Sequence, residues 1–319
     1  MEVGIIADLI KAKHDFMIIS HENPDGDCIG SMLGLHLLFK SMGKTSVMVN
    51  ADLIPDSYSF LSSVEKIVTS PPNRKFDVAI VVDCATLSRM GDAQNFLKMA
   101  DIVVNIDHHK SNEFFGDINL VCSEVAASGE IIFEIIKAFE LKLTPELATS
   151  LFTAISTDTG SFKFSNTNFK TFRIAAELVE AGAKPDVVAE NVFDSKPYAT
   201  LKLLGDVLKS LKVSPCGRVS WVTISNKKMK EFDVSEEQTE GFVNYVRMVE
   251  GAQVSVLLRE QEDGGVRVSW RSKGDIDVSN LAGLFGGGGH ARAAGCTIEG
   301  KTLKEAESDV LKVVYDALQ

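Results

Sequence analysis

Cationic side chains are in short supply. The chain of 319 residues carries 33 lysines and arginines against 44 aspartates and glutamates, a formal net charge of −11. Affinity for long nucleic acid comes from many cations neutralising successive phosphates, so no surface that tracks a long strand is expected. A few local cations still suffice for a short phosphorylated ligand, and the acidic excess leaves carboxylates for metal. Cysteine is also sparse: Cys28, Cys84, Cys122, Cys216 and Cys296 are odd in number and include no C-x-x-C pair. They signal neither a zinc site nor a redox motif and read as small buried thiols. Apolar runs fall far short of a membrane span, and the opening "MEVGIIADLIKAKHDF" is broken by charge too early for a secretion signal. A cytoplasmic protein with no membrane partner is expected. Repeats and low-complexity tracts are lacking too.

What is present is an ordinary globular composition, 45% hydrophobic and 24% charged, and enough length for two domains. Short β-branched runs at 16–20, 46–50, 77–82 and 101–106 alternate with segments long enough for crossover helices, such as 30–43. Continuous apolar runs of this kind suit strands covered on both faces, so the expected fold is α/β with a doubly wound, mainly parallel sheet. Residues 124–190 read as helical, one helix starting at Pro145. The character changes near 194–200. A connecting helix is expected at 199–211, strands at 217–225, 251–260 and 264–272, and helices at about 236–249, 278–285 and 302–318. The domains are therefore drawn at 1–190 and 213–319, joined by a linker at 191–212.

In an open parallel sheet, ligands bind outside the carboxyl ends of the strands. After the first run, "HENPDGDCIGS" holds His21, Asp25 and Asp27; after the third comes Asp83; after the fourth, Asp107, His108 and His109. Asp158 continues the face of Leu147, Leu151 and Ile155 at a three-residue step, where burial without a partner is costly. Each has a plainer alternative. The competing reading makes Asp27 an N-cap and Asp25 a solvated turn residue, Asp83 a cap, and Asp158 a cap at a helix end. Their convergence on one sheet edge favours chemistry. Carboxylate and imidazole without thiolate suit Mn²⁺, Mg²⁺ or Fe²⁺ better than structural zinc, and a pair of such ions favours phosphoryl transfer.

The segments "HENPDGDCIGS", "VVDC" and "DHH", with Asp158, resemble the motifs of the DHH phosphoesterase superfamily, and "SWRSKGDIDVSNLAGLFGGGGHARAAGC" resembles its DHHA1 partner domain. The resemblance implies His21 and Asp25 on one Mn²⁺, Asp27, His108 and Asp158 on the other, and Asp83 bridging both. It implies that His109 faces the scissile phosphate or leaving oxygen, and that Asp107 orients a ligand histidine through a hydrogen bond. In the second domain, Gly287, Gly288 and Gly289 allow close backbone approach to a phosphate, with Arg271, Ser272, His290 and Arg292 as donors. Stand-alone proteins of this size resemble the nano-RNase and pAp-phosphatase group, so the expected activity is Mn²⁺-dependent hydrolysis of short oligonucleotides, linear dinucleotides such as pApA or pGpG, and pAp. A RecJ-like 5′ exonuclease and a non-catalytic nucleotide-sensing module are the alternatives. The expected assembly is a homodimer.

Overall fold

The computed structural model describes residues 3–318, and the chain divides after Ser195 into two compact units. In the first, strands β1 (Asp15–Ile19), β2 (Thr45–Val49), β3 (Ile67–Val68), β4 (Phe76–Val82), β5 (Ala100–Asp107) and β6 (Ile118–Val121) form one sheet in the order 3-2-1-4-5-6. Every pairing is parallel.

Residues of β1 show why these runs place apolar residues at consecutive positions. Phe16 and Ile18 enter the core beneath the helices, whereas Met17 and Ile19 enter a second core on the opposite face with Val81, Met90 and Ala93. A strand covered on both sides has no solvent face on which to place alternating polar residues. The short strands β3 and β6 carry too few residues for such a pattern, and the sequence did not reveal them.

Helices α1 (Val3–Ala12), α2 (Gly26–Ser41), α3 (Ser128–Lys137), α4 (Pro145–Asp158), α5 (Phe169–Glu180) and the single turn α6 (Pro185–Val188) complete this unit, and tight helical turns across Leu87–Met99 cover the other sheet face. α2 begins four residues before the expected segment. Its glycines allow a close approach to α4: a Cβ on Gly26 would sit 2.4 Å from the Thr157 side chain, and one on Gly30 2.3 Å from the Ser150 carbonyl oxygen. The contacts run in opposite directions along the two helices, so the start of α2, with Asp27, lies beside the end of α4, with Asp158.

The second unit is also α/β. Its strands β7 (Lys212–Val213), β8 (Val219–Ile224), β9 (Val254–Glu260), β10 (Val266–Ser272), β11 (Gly288–His290) and β12 (Ala293–Ile298) lie in the order 11-12-10-9-8-7. β8 and β9 pair parallel and the other neighbours antiparallel. Helix α7 (Tyr198–Lys209) packs Leu203, Leu204 and Val207 against Val222, Ile224 and Phe242, so it belongs to this unit's core. Helices α8 (Asn226–Phe232), α9 (Phe242–Val246), α10 (Val278–Gly283) and α11 (Leu303–Ala317) follow. α11 starts with a capping box between Thr302 and Glu305 and packs Ala306, Val310 and Val314 into a core with Trp270.

One expected helix differs. The segment 236–249 is split into a tight turn at Glu237–Thr239 and the five-residue α9, because Gly241 takes a left-handed conformation with φ 85° and ends the first piece.

Candidate metal centre

The site lies at the carboxyl ends of β1, β4 and β5, where β1 separates strands wound in opposite directions across the sheet. Asp83 is its middle. It follows β4 with φ 55°, a conformation that aspartate tolerates better than most side chains, and its N–H donates to the Ile106 carbonyl at 2.9 Å. The turned backbone aims the buried carboxylate between two histidines. Oδ2 lies 3.4 Å from His21 Nε2, and Oδ1 lies 3.5 Å from His108 Nε2.

Two donor groups share that carboxylate. His21 Nε2 is also 3.8 Å from Asp25 Oδ1, while His108 Nε2 is 3.7 Å from Asp27 Oδ2 and 3.6 Å from Asp158 Oδ2. These separations exceed the roughly 2.7–2.9 Å of charge-assisted hydrogen bonds. They suit donors placed about 2.0–2.2 Å from a shared cation. Electrostatics point the same way. Burial, then the charges of Asp83 and Asp158, hold the Asp27 carboxyl well above the ordinary range. Burial, opposed by His108 but aided by Asp83, pushes Asp158 up to about 7. Burial also acts on Asp83, but its hydrogen bond with His21 and the charges of His109 and His108 win and keep it ionised. A nest in which burial and then neighbouring charge raise the Asp27 and Asp158 carboxyls is one that divalent cations relieve. All six donors are hard oxygen or imidazole nitrogen.

The caps are arranged differently from the sequence alternatives. Asp25 is the N-cap of α2, its Oδ1 accepting the N–H groups of Asp27 and Cys28 at 3.0 and 3.1 Å. Asp27 is inside the first turn and buried, and both its oxygens are held from α3: Oδ2 accepts Ser128 N–H at 2.6 Å and Oδ1 accepts Gly129 N–H at 2.9 Å. Cys28 is buried within reach of His21 and Asp25, but burial pushes its thiol up and its S–H faces the Asp25 carbonyl at 3.4 Å.

Histidine orientation comes from hydrogen bonds on the far ring nitrogens. His21 Nδ1–H donates to the Glu22 carbonyl at 2.7 Å, directing Nε2 to the carboxylates. Asp107, expected to orient a ligand histidine, accepts His109 Nδ1–H at 2.7 Å. Its other oxygen accepts Asn112 Nδ2 at 2.7 Å. Against the cost of burial, the Asp107 bond and the Asp83 charge raise His109 to about 9.

Sequence reasoning did not identify Ser128, Gly129 or Asn112. The one available signal was Asn105, a polar residue inside the apolar run of β5; it is fully buried, donates to the Cys84 carbonyl at 3.0 Å and accepts from Asn112 at 2.8 Å.

In the second unit, Arg271 Nε donates to Asn244 Oδ1 at 3.2 Å and Nη1 to the Trp270 carbonyl at 2.9 Å. Burial and the charge of Arg247 bring its guanidinium down to about 10. Ser272 is buried, and its hydroxyl donates to the Ala291 carbonyl at 3.2 Å, holding the loop between β11 and β12. Arg292 Nη1 reaches the Ile276 carbonyl at 3.4 Å, and His290 is exposed on β11. Two of the three glycines answer to packing: a Cβ on Gly287 would lie 2.2 Å from the Gly295 carbonyl oxygen, and one on Gly289 2.6 Å from that of Ala293. Only Gly288 among these three opens onto clear space.

Known proteins share this chain's sequence pattern and fold. The family model described as the DHH family, N-terminal domain, matches residues 15–155, and that of the DHHA1 domain matches 219–319. The bifunctional oligoribonuclease and PAP phosphatase NrnA of Thermus thermophilus is 35% identical over 99% of this chain and 94% of its own length. The Bacillus subtilis protein of the same name is 28% identical over 87% of each chain. An exopolyphosphatase-related protein from Bacteroides fragilis superposes with a TM-score of 0.90 at 26% identity, covering 99% of this chain and 95% of that one. RecJ of Thermus thermophilus, solved with Mn²⁺, shares the fold at a TM-score of 0.55 and 12% identity; this chain spans 55% of it.

The class defined by fold and site is a divalent-metal hydrolase of phosphoester bonds. Within it, the chain belongs to the DHH/DHHA1 phosphoesterases of the NrnA-like type. Among the described residues, no helix is long and apolar enough to cross a membrane.

Proposed function

We propose that the protein is a Mn²⁺-dependent phosphodiesterase that hydrolyses short oligonucleotides and linear dinucleotides such as pApA or pGpG to mononucleotides, and pAp to AMP. The observation that carries this reading is Asp83, whose two oxygens address His21 and His108 separately. His21, Asp25 and Asp83 would hold one ion, and Asp27, Asp83, His108 and Asp158 the other. Such ions supply a lowered water pKa and charge neutralisation at the phosphoryl oxygens.

The remaining work falls to the chain itself. His109, oriented by Asp107, presents Nε2 as the proton donor to the departing oxygen. Ser128 and Gly129 keep Asp27 in place, and Asn112 keeps Asp107 in place. On the second unit, Arg271, His290, Arg292 and the open backbone at Gly288 would grip a substrate end group, Ser272 acting by fixing the turn after β11 that carries Arg292. The short-substrate reading is supported by the names of the relatives in Thermus and Bacillus and by the net charge of −11, which gives a longer strand little to lie against.

The test is a panel of pAp, pApA, pGpG, tetra-, deca- and 24-nucleotide strands with Mn²⁺ at equal molar ends. kcat/KM is expected to peak at two to four nucleotides and to fall steeply by about ten, less steeply at higher salt. Equal efficiency on the 24-mer would replace this reading with a RecJ-like exonuclease.

A further inference from the structure

The metal centre gathers Asp25, Asp27, Asp83, Asp107 and Asp158, yet its substrate is anionic, so the cations near it carry particular weight. Arg89 is the one to consider. Its guanidinium Nη2 lies 3.4 Å from His21 Nδ1, and its side chain is exposed. Since Nδ1–H already donates to the Glu22 carbonyl, the arginine is not satisfied by that ring nitrogen. Among the described residues it has no carboxylate within ion-pair distance.

Its position is nevertheless tightly determined. Glu22 N–H donates to the Arg89 carbonyl at 2.7 Å, and Arg89 N–H donates to the Thr86 carbonyl at 3.2 Å. The next residue, Met90, is fully buried in the core on that face of the sheet. After it, Gly91 turns with φ 54°, and a Cβ there would meet the Glu22 carboxylate at 2.9 Å. Core, turn and backbone hydrogen bonds thus pin the chain around an exposed guanidinium and join its loop to the loop that carries His21.

An exposed arginine on a pinned stretch of backbone, with no acidic partner among the described residues, at the rim of a carboxylate cluster, is arranged for an anion that arrives from outside. We propose that Arg89 binds a non-bridging oxygen of the substrate phosphate that enters on the His21 side of the metal centre, making it a substrate-contacting cation of the first unit. The inference rests on the phosphodiesterase reading above. Arginine suits the task because its fork pairs two phosphate oxygens at once, which lysine cannot do.

Arg89→Ala and Arg89→Lys separate contact with substrate from support of His21. Mn²⁺ affinity by calorimetry should stay within about twofold of the parent, because no metal donor is removed. KM for pApA should rise on the order of tenfold to a hundredfold in the alanine variant, the usual worth of a charged hydrogen bond, with a smaller change in kcat and partial recovery with lysine. Inorganic phosphate binding to the Mn²⁺-loaded protein should weaken in parallel and lose part of its salt dependence. Mn²⁺ affinity falling together with activity would overturn the proposal and make Arg89 a support for His21. An unchanged KM and unchanged phosphate affinity would overturn it too. The phosphate titration reads Arg89 without any turnover, so a parent enzyme inactive on pApA would count against the substrate reading while the arginine is still judged by its own measurement.

Discussion

The Ser128 hydroxyl donates to Oδ1 of Asp83 at 2.9 Å, across 45 residues of sequence. The same residue's N–H donates to Asp27, so one serine at the start of α3 orients two carboxylates carried by α2 and by the end of β4. Hydrogen-bond partners of metal ligands typically contribute about 10–100-fold to metal affinity. Ser128→Ala, which keeps the N–H but deletes the hydroxyl, should weaken Mn²⁺ binding toward that range in calorimetry with little loss of thermal stability. Parent-like affinity would show that Asp83 needs no such guide.

Asp83→Asn preserves both shape and tolerance of positive φ while removing the charge. Divalent-ion binding should drop in stoichiometry as well as affinity, and turnover should fall by orders of magnitude, since both donor groups share this carboxylate. Near-parental turnover in a variant verified by mass would contradict a shared ligand.

Gly30→Ala puts a methyl group where the Ser150 carbonyl oxygen lies 2.3 Å away, which only a separation of α2 from α4 can relieve. Overpacking of this kind costs about 1–3 kcal/mol. Because the same two helices carry Asp27 and Asp158, a lower Tm should be accompanied by weaker Mn²⁺ binding. A lower Tm with unaltered binding would mean that the strain is absorbed elsewhere.

Asp158 gives metal-free protein a signed pH dependence. Its carboxyl, raised to about 7 chiefly by burial, favours the folded state while protonated. That contribution is full below the unfolded value of about 3.9 and is lost as pH rises through the folded one. Asp27, raised by burial and by Asp83, adds in the same direction. The Tm of chelated protein should therefore fall between pH 5 and 8, and Mn²⁺ should restore it most at the upper end, where the donors are ionised. A chelated protein whose Tm climbs over that interval would contradict the repulsive cluster.

Much was legible in the chain because the information was local. Runs such as 77–82 and 101–106 hold consecutive apolar residues since both sheet faces are covered, and in parallel strands joined by crossovers the residues after each run must meet at one edge. His21, Asp83 and His108 could be placed together on that basis. What only tertiary structure decided was which atom faces which. Asp25 rather than Asp27 caps α2, and Asp107 accepts from His109 Nδ1. Asp27 receives its N–H donors from 101 and 102 residues further on. Hydrogen-bond direction and helix separation depend on contacts between segments distant in sequence, and no local periodicity encodes them.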